Sequence, residues 1–160
     1  MFTDEVKTLA DSFLVKASQL LEQDKVLYPV MFSITKGGTV TPISFRTNST
    51  EEKNDASDLM KELAKSSDAL VIIMDSYIME TKSIDDVPDS VKDYPGRAEA
   101  LVCTVHTKGL TFVKSLVYAT ENGKYAFVTM DWKDMNTHGS RFENPYKLLE
   151  KEGHVFSDNT

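Results

Sequence analysis

One cysteine, Cys103, stands in the 160 residues. No disulfide can form within the chain, which fits a reducing compartment. No apolar run approaches the roughly 20 residues needed to cross a bilayer. The opening Met1-Phe2-Thr3-Asp4-Glu5 lacks the basic start and apolar core of a signal peptide. The expectation is a cytoplasmic protein without membrane attachment. Basic residues are outnumbered, 18 Lys plus Arg against 25 Asp plus Glu, for a formal charge of −7. That balance disfavours direct binding to nucleic acid phosphates or anionic lipid. A Walker A loop, a GxGxxG turn and a GxSxG elbow are all missing, and with them the signals for phosphate-cradling, dinucleotide and α/β-hydrolase chemistry. Histidine is scarce: His106, His138 and His154 lie far apart, none at helical ligand spacing with a carboxylate. Asp131, Asp134, His138 and Glu143 match no recognised metal spacing either, so neither metal nor cofactor is expected. Cys103 sits mid-strand with only His106 as a nearby basic residue, the setting of an inert thiol.

What remains is ordinary globular material, 41% hydrophobic and 27% charged, too apolar for a largely disordered chain. The length fits one domain, expected over 1–153 with a flexible tail at 154–160. Val6, Leu9, Ala10, Phe13, Leu14, Ala17, Leu20 and Leu21 recur at helical spacing behind the first-turn acids Asp4 and Glu5, which predicts a helix over residues 3–24. Gly37-Gly38 separates two β-rich runs and signals a two-residue hairpin. In that register Lys36 faces Thr39, Val30 faces Phe45, Phe32 faces Ile43 and Ile34 faces Thr41. Pro42 cannot donate to a ladder, so its strand belongs at an edge. Ser49-Thr50-Glu51-Glu52 reads as a capping box for a second helix ending near Ser66.

Leu70-Val71-Ile72-Ile73-Met74 opens a central strand predicted over 69–81. Lys82 to Gly96, with Pro88 and Pro95, is long enough to suggest a mobile or functional loop. A meander follows, from Arg97 to Thr107, Leu110 to Thr120 and Tyr125 to Trp132, turning at Lys108-Gly109 and Asn122-Gly123. After a polar stretch from Lys133 to Glu143, Asn144, Pro145 and Gly153 mark the cap, first turn and end of a short helix. The order predicts an α+β fold: an antiparallel sheet of about six strands, two long helices on one face and a short C-terminal helix. This layout is similar to that of roadblock and profilin-like domains.

The meander turns sort side chains onto two faces. One holds Ala98, Ala100, Val102, Val113, Val117, Ala119, Ala126, Val128 and Met130. Its small alanines suit close helix approach, so both long helices are expected there. The other holds Glu99, Leu101, Cys103, Val105, Phe112, Lys114, Leu116, Tyr118, Tyr125, Phe127 and Asp131, and the preceding strand adds Asp75, Tyr77 and Met79. An apolar patch rimmed by charge marks association. Leu101, Leu116, Tyr118, Tyr125 and Phe127 are therefore the expected interface of a homo-oligomer; the alternative is that the last helix and the Lys133 to Glu143 segment fold back over this face.

Asp75, Tyr77, Arg97 and Glu99 form the most suggestive polar constellation, flanking the long loop at the ends of two neighbouring strands. An Arg97 pairing with Glu99 or Asp75 would hold a carboxylate and a phenol at the mouth of the sheet, where acid–base work is feasible. Around them, Ile73-Met74-Asp75-Ser76-Tyr77-Ile78-Met79 and Pro95-Gly96-Arg97-Ala98-Glu99-Ala100-Leu101 resemble small phage and prokaryotic proteins of unassigned function. In these an apolar strand ends in acid-small-aromatic and Asp/Pro-x-Arg-x-Glu-Ala-Leu opens the next. The resemblance spans residues 69–107; it implies a phage or mobile-element origin and carries no activity or cofactor. The leading expectation is a non-enzymatic protein-binding module acting on itself or on a host protein. Its competitors are a small hydrolase or nucleotide-processing enzyme built on the Asp75 cluster, and a ligand-sensing sheet.

Overall fold

A computed structural model describes residues 2–78, 97–135 and 143–156. Helix α1 spans Phe2–Asp24, and strands β1 (Val30–Ile34) and β2 (Val40–Ser44) form a hairpin. Helix α2 (Thr50–Ala64) leads into β3 (Ala69–Ile78). Strands β4 (Ala98–Thr107), β5 (Leu110–Glu121), β6 (Lys124–Thr129) and the two-residue β7 (Lys133–Asp134) follow, and α3 (Pro145–Lys151) ends the series. The fold is α+β, with an antiparallel sheet in the order β2-β1-β3-β4-β5-β6 and β7 pairing β5. None of the described helices is long and apolar enough to cross a membrane. The expected loop over Lys82 to Gly96, Met79, His138 and the last four residues lie outside the described residues.

Local chemistry accounts for the element ends. Ser49 Oγ accepts from Glu52 N–H at 3.0 Å, while Glu52 returns a carboxylate to Asn48 N–H at 3.2 Å, so the start of α2 is capped from both sides. Asn144 caps α3 by accepting from Tyr146 N–H at 2.9 Å. Its amide also donates to the carbonyls of Thr107 and Leu110 at 2.9 and 3.0 Å, tying α3 to the β4–β5 turn. Tyr146 is fully buried and donates its hydroxyl to the Ser67 carbonyl at 3.1 Å, so α3 also grips the end of α2.

Both meander registers fall where the turns predict, Thr107 opposite Leu110 and Glu121 opposite Lys124. The first hairpin does not. Phe32 pairs with Pro42 and Ile34 with Val40, one residue off the expected register. Thr35 N–H donates to Thr39 O and Gly38 adopts φ 89°, so the loop holds three residues, Lys36-Gly37-Gly38, instead of two. The one-residue slip sends Ile43 to the α2 side with Met31 and moves Phe32 to the α1 side.

The expectation that both long helices share the alanine-rich face is overturned. Helix α1 lays Val6, Ala10, Leu14, Ala17 and Leu21 against Leu101, Cys103, Val105, Phe112, Leu116 and Tyr118, on the mixed face. Among the described helices, α2 and α3 pack on the other face, over Met31, Leu70, Ile72 and Met74. Val128, expected in the core, is 67% exposed. Burial free energy scales with apolar area, and Leu, Phe and Tyr side chains offer a helix more area than a row of alanines.

Candidate functional site

Beneath α1 the sheet changes character partway along β3. Ala69 through Met74 are all buried, whereas Asp75 and Tyr77 are exposed. Antiparallel pairing places Tyr77 beside Glu99, Glu99 beside Tyr118, and Tyr118 beside Phe127. Directly opposed residues point to the same face, so these four side chains form a row across β3, β4, β5 and β6. Asp75 lies one row inward, and the Thr120–Tyr125 pair one row outward.

Tyr118 is the hub. It is 8% exposed, and its hydroxyl donates to Asp75 Oδ1 at 2.7 Å. Its ring centroid lies 5.6 Å from that of Tyr125 and 5.9 Å from that of Phe127. Tyr125 and Phe127 stack on each other at 6.0 Å. Burial drives the Tyr118 hydroxyl far above its ordinary range, with the Asp75 hydrogen bond and the charges of Asp75 and Glu99 adding to it. Tyr118 therefore stays a proton-bearing donor across the physiological range. Asp75 presents much of its surface to water, but its carboxyl group is partly withdrawn beside Tyr118. That desolvation raises its pKa, opposed by the Tyr118 hydrogen bond, which favours the charged form.

Two cations already lie on the rings of this region. Lys25 follows α1 with φ 63°, donates to the Gly123 carbonyl at 3.0 Å and holds its Nζ 4.9 Å from the Tyr125 centroid. The Arg97 guanidinium lies 5.2 Å from the Tyr77 centroid. Ring faces carry negative quadrupole charge and attract cations at these distances.

The predicted residues thus divide. Asp75, Tyr77, Arg97 and Glu99 do gather at one end of the sheet. The predicted interface does not survive as one surface: Leu101, Leu116 and Tyr118 are 0%, 9% and 8% exposed and belong to the core under α1. Tyr125 and Phe127 remain half-buried. Sequence reasoning missed the Tyr118–Asp75 bond, although the register placed both on one face, and it gave no role to Lys25, which no motif announces.

Elsewhere among the described residues, Cys103 and His106 are sequestered. Cys103 is fully buried and its thiol is pushed up by that burial. His106 is fully buried, bonded through Nδ1 to Thr111 Oγ1 at 3.0 Å, and burial pushes it down to about 4. Its Nε2 has no hydrogen-bond partner among the described residues. His154 stacks edge-on against Phe156. Among the described residues no group of three His, Cys, Asp or Glu side chains could hold a metal ion. Compared with family models, with curated proteins and with solved structures, the chain yields no match.

Proposed function

We propose that this protein is a non-enzymatic protein-binding module whose docking surface is the end of the sheet that α1 leaves open, and that its partner presents basic side chains. One observation carries the reading: Asp75 and Glu99 converge on Tyr118 amid the rings of Tyr77, Tyr125 and Phe127. Lysine and arginine suit such a surface twice, through carboxylate pairing and through ring faces. Lys25 and Arg97 already use those ring faces within the chain. The overall charge of −7 steers basic partners toward the molecule. If residues 69–107 reflect a phage origin, the partner is a host protein.

Calorimetric titration with a short arginine-rich peptide, beside a glutamate-rich control, tests this. The arginine peptide binds and the control does not, and the double substitution Asp75→Asn with Glu99→Gln weakens binding about tenfold or more. Equal binding of both peptides, or of neither, contradicts the reading. Acid–base catalysis by the same cluster would instead show turnover that Tyr118→Phe abolishes.

A further inference from the structure

The geometry points to β6 as an edge that pairs, antiparallel, with β6 of a second copy of this chain. This inference rests on the strand edge and not on the cation-binding reading above. Among the described strands the sheet ends in β2 on one side and β6 on the other. An open edge is a row of unpaired N–H and C=O groups that invites another strand. The β2 edge is blunted by Pro42, which supplies no N–H. The six residues of β6, KYAFVT, contain no proline and one charge. Among the described residues no strand pairs on its outer side.

Backbone alternation shows which groups face outward. Asn122 and Gly123 both have positive φ, 54° and 76°, the signature of a tight two-residue turn that closes on the Glu121–Lys124 pair. At the far end Met130 N–H donates inward to Ser115 O at 2.9 Å. The even-numbered residues of β6 therefore bond to β5, and Tyr125, Phe127 and Thr129 direct their N–H and C=O groups to the open side.

Opposed residues must share a face and outward groups must meet outward groups, so only registers pairing odd with odd residues are allowed. A two-fold axis through Phe127 centres the strand on itself. Tyr125 then bonds to Thr129 of the second copy, and Phe127 faces Phe127. On the other face Ala126 meets Val128, which covers the side chain left 67% exposed in the single chain. No like charges are opposed, because Lys124 is the strand's sole charge and falls opposite Met130. Isologous pairing of this kind is the commonest oligomer geometry. One edge strand per copy is small beside the roughly 1,200–2,000 Å² of standard interfaces, so the association belongs to the weak, transient class.

Sedimentation velocity on the full chain from about 5 to 500 µM, a range spanning weak association, reads the outcome. The wild type shifts from monomer to dimer across the range. Thr129→Pro removes an outward N–H that the β5 ladder does not use, and stays monomeric while its thermal transition remains near that of the wild type. Should that proline disturb the fold, Ala126→Glu combined with Val128→Glu decides instead. Both are exposed sites, and the dimer would oppose like charges there, so this variant also stays monomeric. A wild type that remains monomeric at the top of the range overturns the inference, as does a dimer that a folded variant of either kind leaves intact.

Discussion

The two halves of β3 differ as core differs from surface. From Ala69 to Met74 every residue is buried, sandwiched between α1 and the α2–α3 layer. From Asp75 to Ile78 burial lapses and polar side chains enter. The same hydrogen-bonded strand therefore serves as scaffold at one end and as a held surface at the other. A site on a strand whose first half is locked in the core is more rigid than one carried on a loop. That rigidity is what lets Asp75, Glu99 and Tyr118 keep their geometry in water.

Truncation should expose the difference most sharply. Leu101→Ala, in the fully buried half, costs about 3 kcal/mol through the lost burial and the cavity left beneath α1. Tyr77→Ala at the open end, where the ring is 42% exposed, costs under ~1 kcal/mol. Urea denaturation of both variants checks the contrast, and equal losses would erase the distinction between the halves.

The buried layer should also respond to pH more strongly than the open end, and with opposite sign. His106 is held neutral by burial, at about 4, against roughly 6.5 in the unfolded chain. Between those values the unfolded chain binds the extra proton, so stability is complete above the upper value and falls as pH drops toward the lower one. From pH 7.5 to 5 the His106 contribution amounts to a loss of about 2 kcal/mol. Denaturation midpoints for the wild type and His106→Gln over that range should diverge accordingly. Parallel curves would mean that the ring takes its proton without leaving the fold.

A smaller effect of opposite sign is expected at Asp75. A carboxyl whose pKa is raised in the fold contributes stability in its neutral form, and loses it as pH rises through the folded value. Desolvation is the leading cause here. Asp75→Asn therefore leaves stability at pH 7 unchanged or raises it by under ~1 kcal/mol, and the gain vanishes at pH 3. A clear loss at pH 7 would make the carboxylate a structural requirement instead.

Legibility in the sequence followed the same division. The turns at Lys108-Gly109 and Asn122-Gly123 each fix a register through a local backbone requirement, so the faces of β4, β5 and β6 sort correctly from sequence. Asp75, Tyr77, Arg97 and Glu99 come together for that reason. Gly37-Gly38 was ambiguous because a pair of glycines serves a two-residue or a three-residue loop, and only the packing of Phe32 and Ile43 on opposite layers selects between them. Which face each helix covers was not legible. Both faces carry apolar residues, and the choice depends on area matched in three dimensions. The Tyr118–Asp75 bond spans strands β3 and β5, separated by β4, a relation no local motif encodes.

If the open end of the sheet is a surface for basic side chains, a bound cationic peptide must be felt there. Amide chemical-shift mapping of the isotope-labelled protein, titrated with the arginine-rich peptide, tests it most directly. Shifts concentrated at Asp75, Tyr77, Glu99, Tyr125 and Phe127 are expected, and they should disappear in the Asp75→Asn, Glu99→Gln variant. Shifts centred instead on the acidic first turns of α1, around Asp4 and Glu5, or scattered over the whole molecule, would contradict it.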